Sequence, residues 1–424
     1  TQEVEILTLE DCLRIGIDNN LSLEGKRKEI QRSKYGVSEN RSKLLPQINA
    51  IAGYSNNFDP PVSVTDGSSY GVPYNITQTL QHSANAGLEM QMPLFNQTLY
   101  TSMSIAKVME EISRLSYGKA REDVILQISK MYYLGQVTAE QIMLIKANIT
   151  RLEELRDITQ AFFDNGMSME VDLKRVNINL ENLKVQYDNA QAMMKQQLNM
   201  LKYIMDYPAE KEIALTPVNT DSITTVALTG LSENIYELQL SQSQVQLAER
   251  QKKIITNGYI PSLSLTGSWR YAAYTDKGYH WFHSGPSNQW FRSYGVGLTL
   301  RIPIFDGLDK TYKIKKAMID IENKRLAWED ARKNLQTQYL NAVNDLMNNQ
   351  RNFKKQKDNY LLAEDVYAVT SDRYREGIAS MTEVLQDEMQ MSEAQNNYIS
   401  AHYNYRVTNL MLLKLTGQIE SLVK

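Results

Sequence analysis

The sequence predicts a mixed, mainly α fold in which a unit of long helices and short strands occurs twice. All ten prolines lie in two windows, 46–93 and 208–303, so the runs 94–207 and 304–424 contain none. Proline breaks helices, and these two runs are rich in residues that favour helix. Inside the proline windows the hydrophobic period changes from that of a helix to that of a strand. The first observation predicts very long helices, and the second predicts short strands between them.

Four short motifs occur in the same order in both halves of the chain. The corresponding stretches are 44–48 and 259–263, 92–96 and 302–306, 166–173 and 377–384, and 201–202 and 413–414. Pro93 precedes Gly166 by 73 residues, and Pro303 precedes Gly377 by 74. Equal order with nearly equal spacing indicates an internal repeat.

The repeat predicts the domain organisation: a first repeat at 1–210, a linker at 211–228 and a second repeat at 229–424. In the first repeat we predict a helix at 6–43, strands at 46–56 and 80–93, and long helices at 96–164 and 168–205. In the second we predict a helix at 230–258, strands at 261–273 and 290–303, and long helices at 307–376 and 380–416. The longest of these helices would extend about 100 Å, so they must pack as an elongated antiparallel bundle or tube.

Each predicted strand alternates apolar residues with small or polar ones, the strand at 46–56 less regularly than the others. In the last strand Val296, Leu298 and Leu300 alternate with Gly297 and Thr299. This pattern is typical of outer-membrane strands with lipid on one face and water on the other, and a half-buried soluble sheet shows it too. Four strands cannot close a barrel, and an open edge cannot face lipid. Either the sheet is soluble, or several chains pool their strands; three chains would form a closed twelve-stranded barrel.

Composition narrows the possible functions. The 424 residues carry a formal net charge of −3, which argues against a nucleic-acid binder that relies on a basic surface. The single cysteine, Cys12, excludes an intrachain disulfide, and four histidines leave little material for a metal centre. The sequence has no phosphate-binding loop and no nucleophile–base pair, so we predict no enzyme activity, no cofactor and no metal site.

The order of the motifs resembles that of the TolC-family outer-membrane efflux proteins, from about residue 7 to 417. The stretches that carry the resemblance are 7–21, Leu45-Pro46-Gln47-Ile48, Pro93-Leu94-Phe95-Asn96, Ile302-Pro303-Ile304-Phe305-Asp306-Gly307 and 374–385. The resemblance implies a homotrimer, with a twelve-stranded β-barrel in the outer membrane of a Gram-negative bacterium and a helical tunnel reaching into the periplasm. It also implies a periplasmic adaptor (membrane fusion) protein and an inner-membrane pump of the RND or ABC type. Family members carry a signal peptide, so we expect Thr1 to begin a mature form.

The resemblance places the two helix–helix turns at the periplasmic tip. Gly166 and Met167 in the first turn, and Gly377 and Ile378 in the second, are then the positions at which the adaptor docks. The glycines equally suit ordinary helix ends that need a left-handed residue, so this alternative stays open.

Acidic residues next to the turns are the candidate gate and pore entrance. The resemblance implies that Asp172 bonds Tyr374 and holds the entrance closed. Three-fold symmetry would arrange Glu383 as a ring of carboxylates, which would favour cations and raise the pKa of its members. Ser380 and Glu383 equally match a helix-capping box, so a purely structural role stays open.

Two positions near the second turn depart from the family pattern. Ala379 stands where the family has a basic residue, so the corresponding link would fall to Arg373 or Arg375. The second acidic ring falls on Gln386, and Asp387 would be its approximate substitute.

These observations predict the outer-membrane channel of a tripartite efflux system, a passive conduit for small molecules gated at its periplasmic tip. Two alternatives remain. The first is the outer-membrane component of type I protein secretion. The second, of another class, is a soluble coiled-coil scaffold, which would leave the repeated alternating strands unexplained.

Overall fold

The computed structural model of the chain describes residues 4–218, 229–275 and 290–423. Its helices are α1 (Leu9–Asn19), α2 (Leu21–Ser42), α3 (Gln97–Asp164), α4 (Glu170–Met205), α5 (Tyr236–Asn257), α6 (Asp309–Arg375) and α7 (Met381–Leu415). Its strands are β1 (Glu5–Leu7), β2 (Gln47–Asn56), β3 (Val62–Asp66), β4 (Tyr74–Gln78), β5 (His82–Phe95), β6 (Ile213–Leu215), β7 (Ser262–Thr275) and β8 (Trp290–Arg301). The predicted mixed, mainly α fold class is confirmed. Within the described ranges, none of the helices combines the length and the hydropathy that crossing a membrane requires.

The four strands with period-2 alternation form one antiparallel sheet in the order β2–β5–β7–β8. The register places Ile48, Met90, Gly267 and Val296 in one row across the sheet. Because side chains alternate between faces, this register gathers most apolar residues of the four strands on one side, with Ile51 and Phe291 as exceptions on the other. Among the described residues, β2 and β8 are the edge strands of this sheet.

The predicted helix at 6–43 is divided in the structure. Asn20 has non-helical backbone angles that end α1, and its side-chain oxygen accepts a hydrogen bond from the Leu23 N–H, 3.1 Å away. Its side-chain nitrogen donates to the Ile204 carbonyl at 2.7 Å. Asn20 therefore starts α2 as a cap and ties this corner to α4, a role that asparagine often takes at helix starts.

Two further strand pairs lie outside the predicted pattern. The short strand β6 falls within the predicted linker at 211–228 and pairs in parallel with β1. Residues 219–228 of the predicted linker lie outside the described ranges. In the loop between β2 and β5, β3 and β4 form an antiparallel hairpin. With three residues each, β1 and β6 are too short to show a hydrophobic period. Val62 and Val64 on β3, and Tyr74 and Ile76 on β4, do alternate with polar residues, a period-2 signal that the prediction missed.

The chain forms two compact units. The first comprises Thr1–Ile30, Ile112–Gln242 and Leu326–Lys424, and the second comprises Gln31–Glu111 and Ser243–Arg325. The second unit contains the four-stranded sheet. It also contains a buried hydrogen bond from the Asn257 side-chain nitrogen on α5 to the Thr101 hydroxyl oxygen on α3, at 2.6 Å. The first contains three clusters of buried apolar side chains along α3, α4, α6 and α7.

A polar layer interrupts the apolar packing of the first unit. His402 is fully buried, and its Nε2 accepts a hydrogen bond from Arg406 Nε at 3.0 Å. Since an arginine can only donate, the imidazole proton resides on Nδ1, which faces Glu140 Oε2 at 3.4 Å. The Tyr398 hydroxyl donates to the other Glu140 oxygen at 2.9 Å. The layer joins α3 to α7 through the Tyr398–Glu140 hydrogen bond, whereas His402 Nδ1 and Glu140 Oε2 are buried and form no hydrogen bond.

Candidate functional site

The two turns that join the long helices have the same backbone geometry. Gly166 and Gly377 adopt left-handed angles, with φ of 73° and 72°. The N–H of the next residue bonds back five residues in each turn, from Met167 to Phe162 and from Ile378 to Arg373, both at 2.8 Å. This is a Schellman ending, which requires a left-handed residue and therefore favours glycine. The side chains of Met167 and Ile378 are exposed.

The helices that leave the turns begin differently. Ser380 caps α7 with a complete capping box, in which its N–H and hydroxyl both donate to the Glu383 carboxylate at 2.7 and 2.9 Å. These bonds lower the pKa of Glu383. Met169 occupies the equivalent position before α4 and provides no side-chain cap. The capping role that was an alternative for Glu383 is therefore present within one chain.

A cavity of about 430 Å³ lies between the two turns. Four of the predicted site residues line it: Met167, Asp172, Tyr374 and Gly377. The other four predicted residues do not contribute to its lining: Gly166, Ile378, Glu383 and Asp387. The cavity thus brings the predicted gate pair Asp172 and Tyr374 to one place, without the acids that follow the second turn.

Each member of the predicted gate pair has a different partner. Tyr374 is buried, its hydroxyl lies 3.3 Å from the Thr159 hydroxyl, and its ring packs on Phe162. Asp172 forms an ion pair with Arg175 at 3.3 Å. Within the described residues, no hydrogen bond joins Asp172 to Tyr374.

Arg175 connects the two helical hairpins, α3–α4 and α6–α7, near the turns that form their tip. Its Nη1 also donates to the Thr382 hydroxyl at 3.3 Å, which links α4 to α7. The Tyr374–Thr159 contact links α6 to α3 in the same region. Sequence reasoning missed both Thr159 and Thr382, since no local spacing relates them to their partners. The sequence could have indicated only the Asp172–Arg175 ion pair, because residues three apart are neighbours on a helix surface.

Arg375 is one of the two arginines, with Arg373, that were predicted to compensate for Ala379. Its guanidinium lies 3.5 Å from Glu154 on α3 and 3.4 Å from Asp372 on its own helix. Arg375 is about half exposed and the two acids are more exposed still, so each pair contributes little stability by itself. Together with the Tyr374–Thr159 contact, the Glu154 pair adds a second link between α6 and α3.

Glu388 is a functional candidate that sequence reasoning missed. It lies five residues after Glu383 and is buried, and its Oε1 has no hydrogen-bond partner. Burial raises its pKa to about 7. The signal was present in the sequence, since Met381, Leu385, Glu388 and Met391 follow the 3-4 spacing of the buried face of α7.

The buried carboxyl of Glu388 predicts a pH dependence of stability. A carboxyl whose folded pKa exceeds its unfolded value favours the folded state below about pH 4.5, and this advantage declines as the pH rises towards 7. Glu388→Gln is therefore expected to raise the unfolding temperature at pH 8 and to change it little at pH 4.5. At pH 8 we expect the free energy of unfolding of the Glu388→Gln chain to exceed that of the wild type by about 3 kcal/mol per chain. Circular dichroism melting in detergent at the two pH values checks this.

Glu383→Gln is the matched control, because the pKa of Glu383 is shifted in the opposite direction. Its carboxylate stabilises the fold at neutral pH, and this contribution is lost as the pH falls through the folded pKa. The control is therefore expected to lower the unfolding temperature at pH 8. A Glu388→Gln chain that melts below the wild type at pH 8 would contradict the burial argument.

The four-stranded sheet provides the second element of the site. Its apolar face is exposed along β8, where Val296, Leu298 and Leu300 are 80%, 66% and 60% exposed. Trp269 and Ile48 extend the same face onto β7 and β2 and are exposed as well. Soluble monomers rarely expose a contiguous apolar surface of this kind, so the face requires an apolar surrounding.

Comparisons with known proteins identify the family to which the chain belongs. The family model described as "Outer membrane efflux protein" matches residues 15–205 and 227–418. The chain is 21% identical to the outer membrane protein TolC of Vibrio cholerae, over 90% of this chain and 84% of that protein. It is 23% identical to the probable efflux pump outer membrane protein TtgC of Pseudomonas putida, over 96% and 82%. The solved structure of CusC has the same fold, with a TM-score of 0.80 at 16% identity, over 96% of this chain and 91% of that one. The chain therefore belongs to the outer membrane efflux protein family.

Proposed function

We propose that this protein is the outer-membrane channel of a tripartite efflux system, a passive conduit that works as a homotrimer. The observation that carries the proposal is the sheet with one exposed apolar face, one polar face and two edge strands. Lipid covers an apolar face, and water fills a polar one, in a membrane barrel. Family membership favours this function over a soluble coiled-coil scaffold.

The edge strands support the homotrimer. β2 and β8 each have a strand neighbour on one side within the described residues, so each presents a row of backbone donors and acceptors. In a bilayer such groups need partners, because no water is present to bond them. Pairing β8 of one copy with β2 of the next satisfies both edges. Three copies then supply twelve strands, which form a closed wall with a lumen.

Exposed apolar stripes on two long helices support the same assembly. On α4, Ile178, Val185, Met193 and Met200 recur at seven- or eight-residue spacing and are exposed. On α6, exposed apolar residues recur at multiples of seven: Leu326, Leu340, Met347 and Leu361. A heptad stripe is the pattern that packs one helix against another. These stripes are the surfaces on which neighbouring copies complete a helical tunnel.

The tip carries the gate and the docking positions in this proposal. Asp172 and Tyr374, through Arg175 and Thr159, hold the two hairpins together and keep the entrance narrow. Glu383 and Asp387 lie behind the second turn, where three copies would place their charges around the axis. The exposed turn residues Met167 and Ile378, with Gly166 and Gly377, form the surface for a periplasmic adaptor, which connects the channel to an inner-membrane pump.

A complementation experiment tests the proposed function. The full chain, exported behind a signal peptide, is produced in a Gram-negative strain whose own efflux channel has been deleted. The adaptor and pump that are cognate to this chain are produced with it. We expect restored resistance to toxic small molecules, and a purified particle in detergent with three times the 48.6 kDa chain mass by light scattering. A monodisperse monomer that is stable in buffer without detergent would contradict the proposal and favour the scaffold.

A further inference from the structure

The polar face of the four-stranded sheet carries a pair of opposite charges on neighbouring strands. Glu89 on β5 lies directly opposite Ser268 on β7, and Arg270 lies two positions further along β7, opposite Gly87. Arg270 Nη2 forms an ion pair with Glu89 Oε1 across this diagonal. Diagonal neighbours on one face of a sheet are within reach of long side chains. The pair therefore lies on the face that the proposed channel turns towards its lumen.

The surroundings of the pair are small and polar. Glu89 and Arg270 line an open groove of about 550 Å³. The other residues of this face that line it are Asn49, Gln91, Thr266, Ser268, Gly295 and Gly297. All six are uncharged and most are short, so the two long charged side chains extend furthest from the wall. Within the four described strands, the other charged residue of this face is Arg301, at the end of β8.

Gly87 gives the pair its position. A methyl group at Gly87 would come within 2.8 Å of the Arg270 Cα, closer than real side chains approach a backbone. The absence of a side chain there lets β5 and β7 run close together beside Arg270. The Arg270 side chain can then lie along the wall towards Glu89 instead of being displaced from it.

The pair contributes little to stability, and its consequence lies in the electric field. Both side chains are nearly half exposed, at 42% and 45%, and ion pairs of this kind are worth little in folding energy. A narrow aqueous passage with low-dielectric walls, however, concentrates the field of any fixed charge on its wall. Rings of charged side chains of one sign make pores selective for the opposite ion.

We propose that the Glu89–Arg270 pair determines the charge preference of the channel lumen, as a ring of three mutually neutralising ion pairs that admits small molecules of either charge. The inference rests on the proposed trimeric channel and goes further by naming the residues that set its selectivity. Loss of one partner converts the neutral ring into a ring of three like charges. The channel would then favour cations when glutamates remain and anions when arginines remain.

Reversal potentials in planar bilayers under a KCl gradient test the proposal. Relative to the native channel, Arg270→Gln is expected to shift the K⁺/Cl⁻ permeability ratio several-fold towards K⁺, and Glu89→Gln several-fold towards Cl⁻. The double variant Glu89→Gln/Arg270→Gln, which removes both charges, is expected to return close to the native ratio. Opposite shifts from the two single variants, cancelled in the double variant, identify a pair that acts through charge.

Arg292→Gln is the matched control. Arg292 lies on the adjacent strand β8, in register with Tyr271, and therefore belongs to the opposite face of the sheet. Removing the same charge there is expected to leave the permeability ratio unchanged. A shift from Arg292→Gln without one from Arg270→Gln would reverse the assignment of the faces and overturn the proposal.

A thiol variant examines the same position after assembly. The native Cys12 is fully buried, and burial raises its pKa to about 12, so it does not react with polar reagents. In the Arg270→Cys channel, a cationic thiol reagent is expected to restore the native ratio, and an anionic one to increase the K⁺ preference. All recordings are repeated in channels that also carry Asp172→Ala and Tyr374→Phe. These tip substitutions are expected to widen the entrance, so that the electrical resistance of the entrance does not mask that of the lumen.

The outcomes separate the inference from the function on which it rests. Channels that open in every variant with one unchanged permeability ratio, in both tip backgrounds, would overturn the role of the pair and leave the proposed channel intact. A wild-type protein that forms no channel in the bilayer would overturn the proposed function itself.

Discussion

Leu298→Arg is expected to abolish assembly of the protein in the outer membrane. Leu298 lies on the exposed apolar face of the sheet, in the edge strand β8. An arginine on the lipid face of a membrane strand costs about 2–4 kcal/mol near the bilayer centre. In a trimer this cost is incurred three times, once in each copy, beside the strand edge that must pair with its neighbour. We expect protein that is produced but absent from the outer-membrane fraction.

Thr299→Arg is the control, because the next residue along a strand points to the opposite face. Its side chain lies on the polar face, in register with Ser264. We expect this variant to assemble to nearly the wild-type level, since an arginine there would meet water. Membrane fractionation and light scattering of the detergent extract measure both variants. Equal assembly of the two variants would contradict a lipid-facing role of the apolar face. If only Thr299→Arg failed to assemble, the face that contacts lipid would be the one assigned here to water.

The double variant Asp172→Ala/Tyr374→Phe is expected to raise single-channel conductance several-fold. The two substitutions remove the Asp172–Arg175 pair and the Tyr374–Thr159 contact. Arg175 loses the carboxylate that orients it towards Thr382, and the link between α4 and α7 weakens. The hairpins at the tip are then free to separate, and the entrance widens. Conductance in planar bilayers, where the entrance is the narrowest part of the proposed channel, provides the measurement.

Two matched variants control for nonspecific loosening. Glu170→Ala removes an exposed acid on the same first turn of α4, where it pairs with Lys174 at 2.7 Å. Tyr203→Phe removes an exposed hydroxyl near the far end of that helix. Neither is expected to change conductance. An unchanged conductance in the double variant would exclude Asp172 and Tyr374 from the closing mechanism.

Several features of the fold could be predicted from residues that lie close together in the sequence. Proline placement predicted the very long helices, and Gly166 and Gly377 marked their reversals because a left-handed turn excludes most other residues. Period-2 alternation predicted the strands, and the faces follow from it directly. The Ser380–Glu383 cap was equally visible, since both partners lie three residues apart. Each of these features depends on neighbours along the chain.

Contacts between distant segments were beyond the reach of such patterns. Asn20 interrupts a predicted helix because the Ile204 carbonyl, far away in sequence, provides a partner for its side chain. Tyr374 was identified, whereas its partner Thr159 was not. Glu388 lies on the buried face of α7 although it is an acidic residue. Only the packing around it determines that its Oε1 lacks a hydrogen-bond partner and that its pKa rises.

The sequence by itself determined the mainly helical class, the internal repeat, the positions of the turns and the two faces of each strand. Those properties follow from backbone sterics and from hydrophobic periods, which act over a few residues. The tertiary structure decided the strand order, the Glu89–Arg270 pairing and the partners of the gate residues. These depend on which side chains come within a few ångströms of each other after folding, and side chains from distant parts of the chain acquire that proximity only through the packing of the whole unit.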